Sequence, residues 1–244
     1  MRIRFMLLAL LLVLLPSPAF AQNDPTRTAR MSLAVGRLPS VVDMPLFVRL
    51  YMVNLPAGQL LSYDGSTAML YDLSGAAAID IDGTVRSIAE GAAAFVPAGQ
   101  SANVSASGSE PTTLLLFVLT PRPNQRKPLL DRPAVVRELC RTPEPLPGLQ
   151  AGPYELSLTR VTLPAGMSAD PPHVRSGAAL NYVLAGAGLF TAEGKTEGRT
   201  VGMPDFELNG LVYQWANPGD APLVLLQANL SQEGKPAVLP ASTK

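Results

Sequence analysis

Apolar and polar positions alternate along this chain in short runs. Strand-like runs extend from Leu46 to Asn54, Thr112 to Leu119, Tyr154 to Thr162 and Pro222 to Leu230. Gly, Pro, Asn or Asp separates these and the shorter runs between them. Side chains of a strand point alternately to its two faces, and such runs divided by turn residues predict a sandwich or barrel. Asp131 to Cys140, with Pro133 near its start, instead predicts a short helix. The one long apolar run is Phe5 to Leu15, behind Arg2 and Arg4 and ahead of Pro16, Pro18 and Ala19-Phe20-Ala21. That order is the signature of a cleaved secretory signal at residues 1–21. The run has 11 residues, whereas a membrane-spanning anchor, the alternative reading, needs about 20. No Cys stands just after it to take a lipid. The expectation is an exported chain, periplasmic or secreted, that begins near Gln22.

The chain also repeats itself. Leu55-Pro56-Ala57-Gly58 recurs as Leu163-Pro164-Ala165-Gly166, and Tyr71-Asp72-Leu73-Ser74-Gly75 matches Tyr182-Val183-Leu184-Ala185-Gly186. The copies stand 108 residues apart at the first match and 111 at the second, as an insertion near Pro171-Pro172-His173 would produce. Solenoid units repeat every 20 to 50 residues or so, so this spacing marks a duplicated domain. The organisation expected is a signal at 1–21, an N-terminal extension at 22–45, a first barrel at 46–120, a linker at 121–153, a second barrel at 154–231 and a tail at 232–244. Prolines at 121, 123, 128, 133, 143, 145, 147 and 153 crowd the linker, which argues for a stiff connector around the short helix and against continuous sheet.

The repeat resembles the cupin superfamily, in particular its two-barrel members, the bicupins. In the first copy Gly91, Pro97 and Gly99 fall on the second cupin motif; in the second copy Gly202, Gly210 and Asn217 do. Gly75 and Gly186 close the first motif. The resemblance covers most of residues 46–230 and implies an all-β fold of two tandem jelly-roll barrels. Metal-binding cupins use three His and one Glu. Counting along the motifs puts Ala68 and Ala102 on ligand positions of the first copy. In the second copy the same positions carry His173, Arg175, Ala179 and Tyr213. His173 is the chain's one histidine, so neither barrel assembles the family's metal site, and no cofactor is expected. Asp64, Asp170 and Glu207 are oxygen donors for a hard cation in principle, but their spacing does not point to one.

The remaining chemistry lies in the second barrel. With the ligand positions facing inward, alternation brings His173, Arg175, Asn181, Tyr213 and Trp215 to one face. A cation, an amide, a phenol and an indole together suit a small carboxylated or hydroxylated ligand, with Arg175 pairing the carboxylate. The alternative is that the aromatics only pack the core. His173 is read either as a relic that still touches ligand or moves a proton, or as a neutral filler of the barrel mouth. The first barrel, rich in small apolar residues at 76–78 and 92–94, is read as structural.

Composition narrows the partners. The chain has 20 Gly, 24 Pro and only 16% charged residues, which favours an all-β fold over long helices. Basic and acidic residues number 19 each, and the signal removes two Arg. The mature chain is therefore slightly acidic and has no electrostatic footprint for nucleic acid. No basic amphipathic stretch suits a membrane surface once the signal is cleaved. Cys140 is the one cysteine and reads as a packed small residue. No nucleophile elbow, dinucleotide loop or phosphate cradle is found. Asp82-Gly83 reads as a type I′ hairpin turn.

The functional expectation is an exported cupin-like protein without metal ligands, binding a small molecule or acting structurally through its second barrel. One alternative is a metal-independent isomerase or lyase with His173 or Tyr213 as acid–base and Arg175 on a small anionic or sugar-like substrate. A third reading is a homodimer formed through barrel strands.

Overall fold

The computed structural model describes residues 27–38, 45–121 and 135–241. The signal at 1–21 lies outside them, and so does most of the linker's first half.

All regular structure among the described residues is strand. One five-stranded sheet contains β2 (Phe47–Leu55), β4 (Thr67–Ser74), β7 (Ala93–Val96), β9 (Thr112–Thr120) and β10 (Val135–Arg141), in the order β10-β2-β9-β4-β7. A second contains β1 (Ala29–Leu38), β11 (Tyr154–Leu163), β13 (Ala178–Ala185), β16 (Pro204–Glu207) and β18 (Leu223–Gln232), in the order β1-β11-β18-β13-β16. The two orders are the same pattern, as the sequence repeat requires. A sheet of mostly shorter strands faces each of them. For the first barrel it is β3 (Leu60–Asp64), β5 (Ala76–Ile81), β6 (Thr84–Ala89) and β8 (Ser101–Ala106), ordered β3-β8-β5-β6. For the second it is β12 (His173–Arg175), β14 (Ala187–Ala192), β15 (Lys195–Thr200), β17 (Tyr213–Ala216) and β19 (Val238–Pro240), ordered β15-β14-β17-β12-β19. The expected turn is present: Asp82 and Gly83 both have positive φ, 48° and 81°, as type I′ demands.

The structure corrects the short helix expected over 131–140. Positions 131–134 lie outside the described residues, and Val135–Arg141 is strand β10, paired with β2 from Asn54 to Arg49. The stretch between Pro133 and Pro143 is free of proline, opens with two β-branched valines and meets an unpaired edge of β2. A free sheet edge offers hydrogen-bond partners to alternate residues of an added strand, and this outweighs a weak helical signal.

The outer strands cross between the halves. β1 precedes the first barrel in the chain but pairs with β11 of the second. β10 sits in the linker and pairs with β2 of the first. The broad sheets then pack face to face. Met69, Leu115 and Phe117 of one meet Leu158, Leu180 and Leu226 of the other in a shared apolar layer. Each barrel keeps its own apolar cluster besides, larger in the first than in the second, and the first half also buries Arg49 and Asp72.

Where β1 passes β7, Gly36 carries the contact. A Cβ at Gly36 would stand 2.1 Å from the Phe95 ring, so the ring lies flat on bare backbone. Gly36→Val is expected to cost about 1–3 kcal/mol by overpacking, measured by urea unfolding. Adding Phe95→Ala is expected to remove most of the steric part; equal losses in both backgrounds would contradict this packing.

Candidate functional site

Equivalent positions of the two barrels are fixed by strand register. Ala68 lies across from Val96 and Val118 in the first barrel; Ala179 lies across from Glu207 and Asn229 in the second. Two residues along, Leu70 faces Leu116 where Asn181 faces Gln227. In the facing sheets Val104 opposes Ile79 where Trp215 opposes Phe190. Valines and leucines of the first interior are thus replaced in the second by a carboxylate, three amides and an indole. Strand β18 carries the change on alternate residues: Leu223 and Leu225 stay apolar, whereas Gln227, Asn229 and Ser231 are polar and buried.

Most of these groups bond one another. Glu207 is fully buried. Its Oε2 accepts from Nε of Arg175 at 2.7 Å and also from Nη2, and its Oε1 accepts the indole N–H of Trp215 at 2.8 Å. Arg175 is 2% exposed. Its Nη1 donates to Asn229 at 3.3 Å, and its guanidinium carbon stands 5.5 Å from the centre of the Tyr213 ring. The amide of Gln227 donates to Asn181 at 2.7 Å and accepts from Arg30 of β1 at 3.4 Å. A buried ion pair is tolerated only when its spare donors and acceptors are also bonded, and here indole and amides bond them.

The rim of the cluster is His173. Its ring meets the Tyr213 ring edge-on at 4.6 Å. Its Nδ1 contacts the Pro171 carbonyl, and its Nε2 lies 3.4 Å from Asp170. Asp170 is anchored in turn by the backbone N–H of Trp215, which donates to its Oδ1 at 2.8 Å. Burial raises the Asp170 carboxyl above its ordinary value, against the Trp215 hydrogen bond and the charge of His173. Burial, with the Glu207 charge behind it, also pushes the Tyr213 phenol far up. The Tyr213 hydroxyl and the Asn181 amide nitrogen are buried without a well-formed hydrogen bond, although Glu207 is close enough to act on the phenol. The cavity among Arg30, Asp170, His173, Arg175, Glu207 and Tyr213 measures only about 10 Å³, room for one water at most.

The five residues expected to share a face, His173, Arg175, Asn181, Tyr213 and Trp215, therefore do come together. Strand counting alone missed Glu207 as the partner of Arg175, and it missed Gln227 and Asn229. Their signal was the switch from leucine to amide on alternate positions of β18. Arg30 left no such signal, because only the crossing of β1 brings it here. Of the three carboxylates considered, Asp170 and Glu207 lie in this barrel; Asp64 belongs to β3 of the other. Cys140 is half-buried in β10, where burial pushes its thiol up to about 12, the setting of a packed residue.

No family model matches this sequence, and no curated protein does. Solved structures do. An oxalate decarboxylase of Bacillus subtilis, described with Mn(II) centres, is 13% identical, with a TM-score of 0.57 over 86% of this chain and 78% of that one. AerE from Microcystis aeruginosa is 16% identical, with a TM-score of 0.54 over 84% and 98%. A salicylate 1,2-dioxygenase from Pseudoaminobacter salicylatoxidans is 11% identical, with a TM-score of 0.51 over 77% and 76%. At such identities the likeness is one of fold: two tandem cupin-type barrels.

The residues on the cupin motif positions of the second barrel do not fit a divalent metal. Among the described residues no three His, Cys, Asp or Glu are grouped to ligate an ion. Of the motif positions, Arg175 carries a fixed positive charge and Ala179 has no donor. The nearby carboxylate, Glu207, comes from the neighbouring strand and is already bonded by Arg175.

Arg175→Met or Glu207→Leu alone is expected to cost about 3–5 kcal/mol, because each leaves a buried charge unpaired. The double variant is expected to cost much less than the sum; additive losses in denaturant unfolding would contradict the pairing. Beside Glu207 on β16, burial pushes Asp205 up to about 6 despite its hydrogen bonds from Arg199. The folded chain then holds a proton there that the unfolded chain, at the ordinary 3.8, has released. Stability contributed by this group is present at low pH and is lost between about 4 and 6. Asp205→Asn should flatten that part of the profile, read from unfolding midpoints against pH; an unchanged profile would contradict the assignment.

Proposed function

We propose that this is an exported cupin-fold protein that works without a divalent metal and does no chemistry in either barrel. The observation that carries the reading is the Arg175–Glu207–Trp215 network, which fills the second barrel with mutually bonded side chains. An internal cation takes up the carboxylate that a metal would need. The remaining space, about 10 Å³, is far below the 300 Å³ or so of ordinary ligand pockets. The interior of the second barrel is therefore structural, and His173, Arg175, Asn181, Tyr213 and Trp215 hold the barrel closed. The first interior is built around a large apolar cluster that includes Ala68 and Ala102 on its motif positions.

The isomerase or lyase reading draws on one observation, the contact of His173 with Asp170 at the rim. Two facts weigh against it. A phenol driven upward by burial is a poor proton carrier near neutral pH, and a sugar-sized substrate does not reach Arg175.

The reading is tested by elemental analysis of the mature chain from Gln22 onward, purified without chelator. Metal well below one equivalent per chain is expected; a stoichiometric transition metal would overturn it. Export is tested separately by intact mass after periplasmic expression. A chain starting at Gln22 is expected, and one retaining Met1 in the cytosol would contradict export.

A further inference from the structure

If the second barrel is closed, ligand binding falls elsewhere, and the structure contains a place for it. A cleft of about 580 Å³ opens between β1, the β5–β6 hairpin and β7. This lies within the range of small-molecule sites, roughly 300–1,000 Å³. It runs along the open side of the first barrel, where β6 ends one sheet and β7 the other, and β1 flanks it from the second barrel. We propose that this cleft binds a small amphipathic monoanion, an apolar body bearing one carboxylate or sulfonate. The inference rests on the closed-barrel reading above.

Three features carry it. Alternation along β6 sets Thr84, Arg86 and Ile88 on one face. A hydroxyl, a guanidinium and an aliphatic chain thus follow one another, ending at Ile88, which is buried in the first barrel's core. Second, the ladder of β1 slips between Ser32 and Ala34, and a bulge of this kind re-aims a side chain. Here it falls at Leu33, which lines the cleft together with Phe95. Third, Arg86 is exposed, and its side chain has no hydrogen bond or ion pair among the described residues. The other described arginines all have an interaction partner. Guanidinium is the side chain best shaped to take a carboxylate or sulfonate in two hydrogen bonds. Asp82 at the hairpin tip is the one carboxylate in the wall. It balances Arg86 in net charge, so a second negative group on the ligand would be repelled, and this selects a monoanion.

The probe is anilinonaphthalene sulfonate, an aromatic monoanion whose fluorescence rises when it leaves water, titrated into the mature chain. One saturable site per chain is expected. Arg86→Glu should weaken it by at least about tenfold, through loss of the charged hydrogen bonds. Thr84→Trp, which fills the cleft from an exposed edge strand, should abolish it. Both positions are exposed, and circular dichroism checks that the variants fold. Arg30→Gln, at the mouth of the second barrel, should leave binding unchanged. Absence of a saturable site, or binding indifferent to Arg86→Glu and Thr84→Trp, would overturn the inference and leave the closed-barrel reading standing. Loss of binding in Arg30→Gln would overturn both.

Discussion

The second barrel depends on the burial of one ion pair. Arg175 and Glu207 sit in the protein interior at 2% and 0% exposure. Removing two such charges from water costs several kcal/mol per ion, and only close pairing with full hydrogen bonding returns it. That requirement explains the surrounding residues. Trp215 caps the free carboxylate oxygen, Asn229 takes the outer guanidinium nitrogen, and the Tyr213 ring lies against the guanidinium. Each of these would be out of place in an ordinary apolar barrel. The first barrel differs at the matching register positions, which carry Val96, Val118 and Val104; its own buried charges, Arg49 (paired with Glu138) and Asp72, lie elsewhere on β2 and β4.

The same pair bears on function. The chain has the backbone of a fold whose known members include a manganese enzyme and a dioxygenase, yet the chemistry of a site lies in its side chains. A fixed cation at one motif position and an alanine at another change what the barrel mouth attracts. The interior is largely filled by mutually bonded side chains, with the Tyr213 hydroxyl and the Asn181 amide nitrogen left over. The crossing of β1 and β10 then binds the two barrels into one body around a shared apolar layer. The edges those crossings leave open, beside β1, β6 and β7, form a cleft of useful size.

Most of the fold was legible in the sequence. The paired Leu-Pro-Ala-Gly turns and the matching Tyr71 and Tyr182 segments announced a duplicated all-β domain, because turn residues and apolar alternation are local signals. The inward set of His173, Arg175, Asn181, Tyr213 and Trp215 followed from period-two counting. What escaped were the nonlocal features. Val135–Arg141 became a strand only because β2 presented a free edge to it. Arg30 and the β1 wall of the cleft arrived by a strand crossing between the halves, which no periodicity records. Glu207 was visible as a carboxylate, but its pairing with Arg175 depends on β16 lying across from Ala179. The size of the space left inside, which separates a ligand site from a packed core, follows from side-chain volumes in three dimensions and from nothing linear.

The central claim is that a guanidinium on a cupin motif position holds the buried carboxylate of the second barrel and leaves none for a metal. Its most direct test is a crystal structure of the mature chain grown in millimolar manganese, with anomalous diffraction data. The account expects no anomalous peak inside the second barrel and Arg175 seated on Glu207. A strong peak there, with Arg175 turned away and Glu207 on the ion, would contradict it.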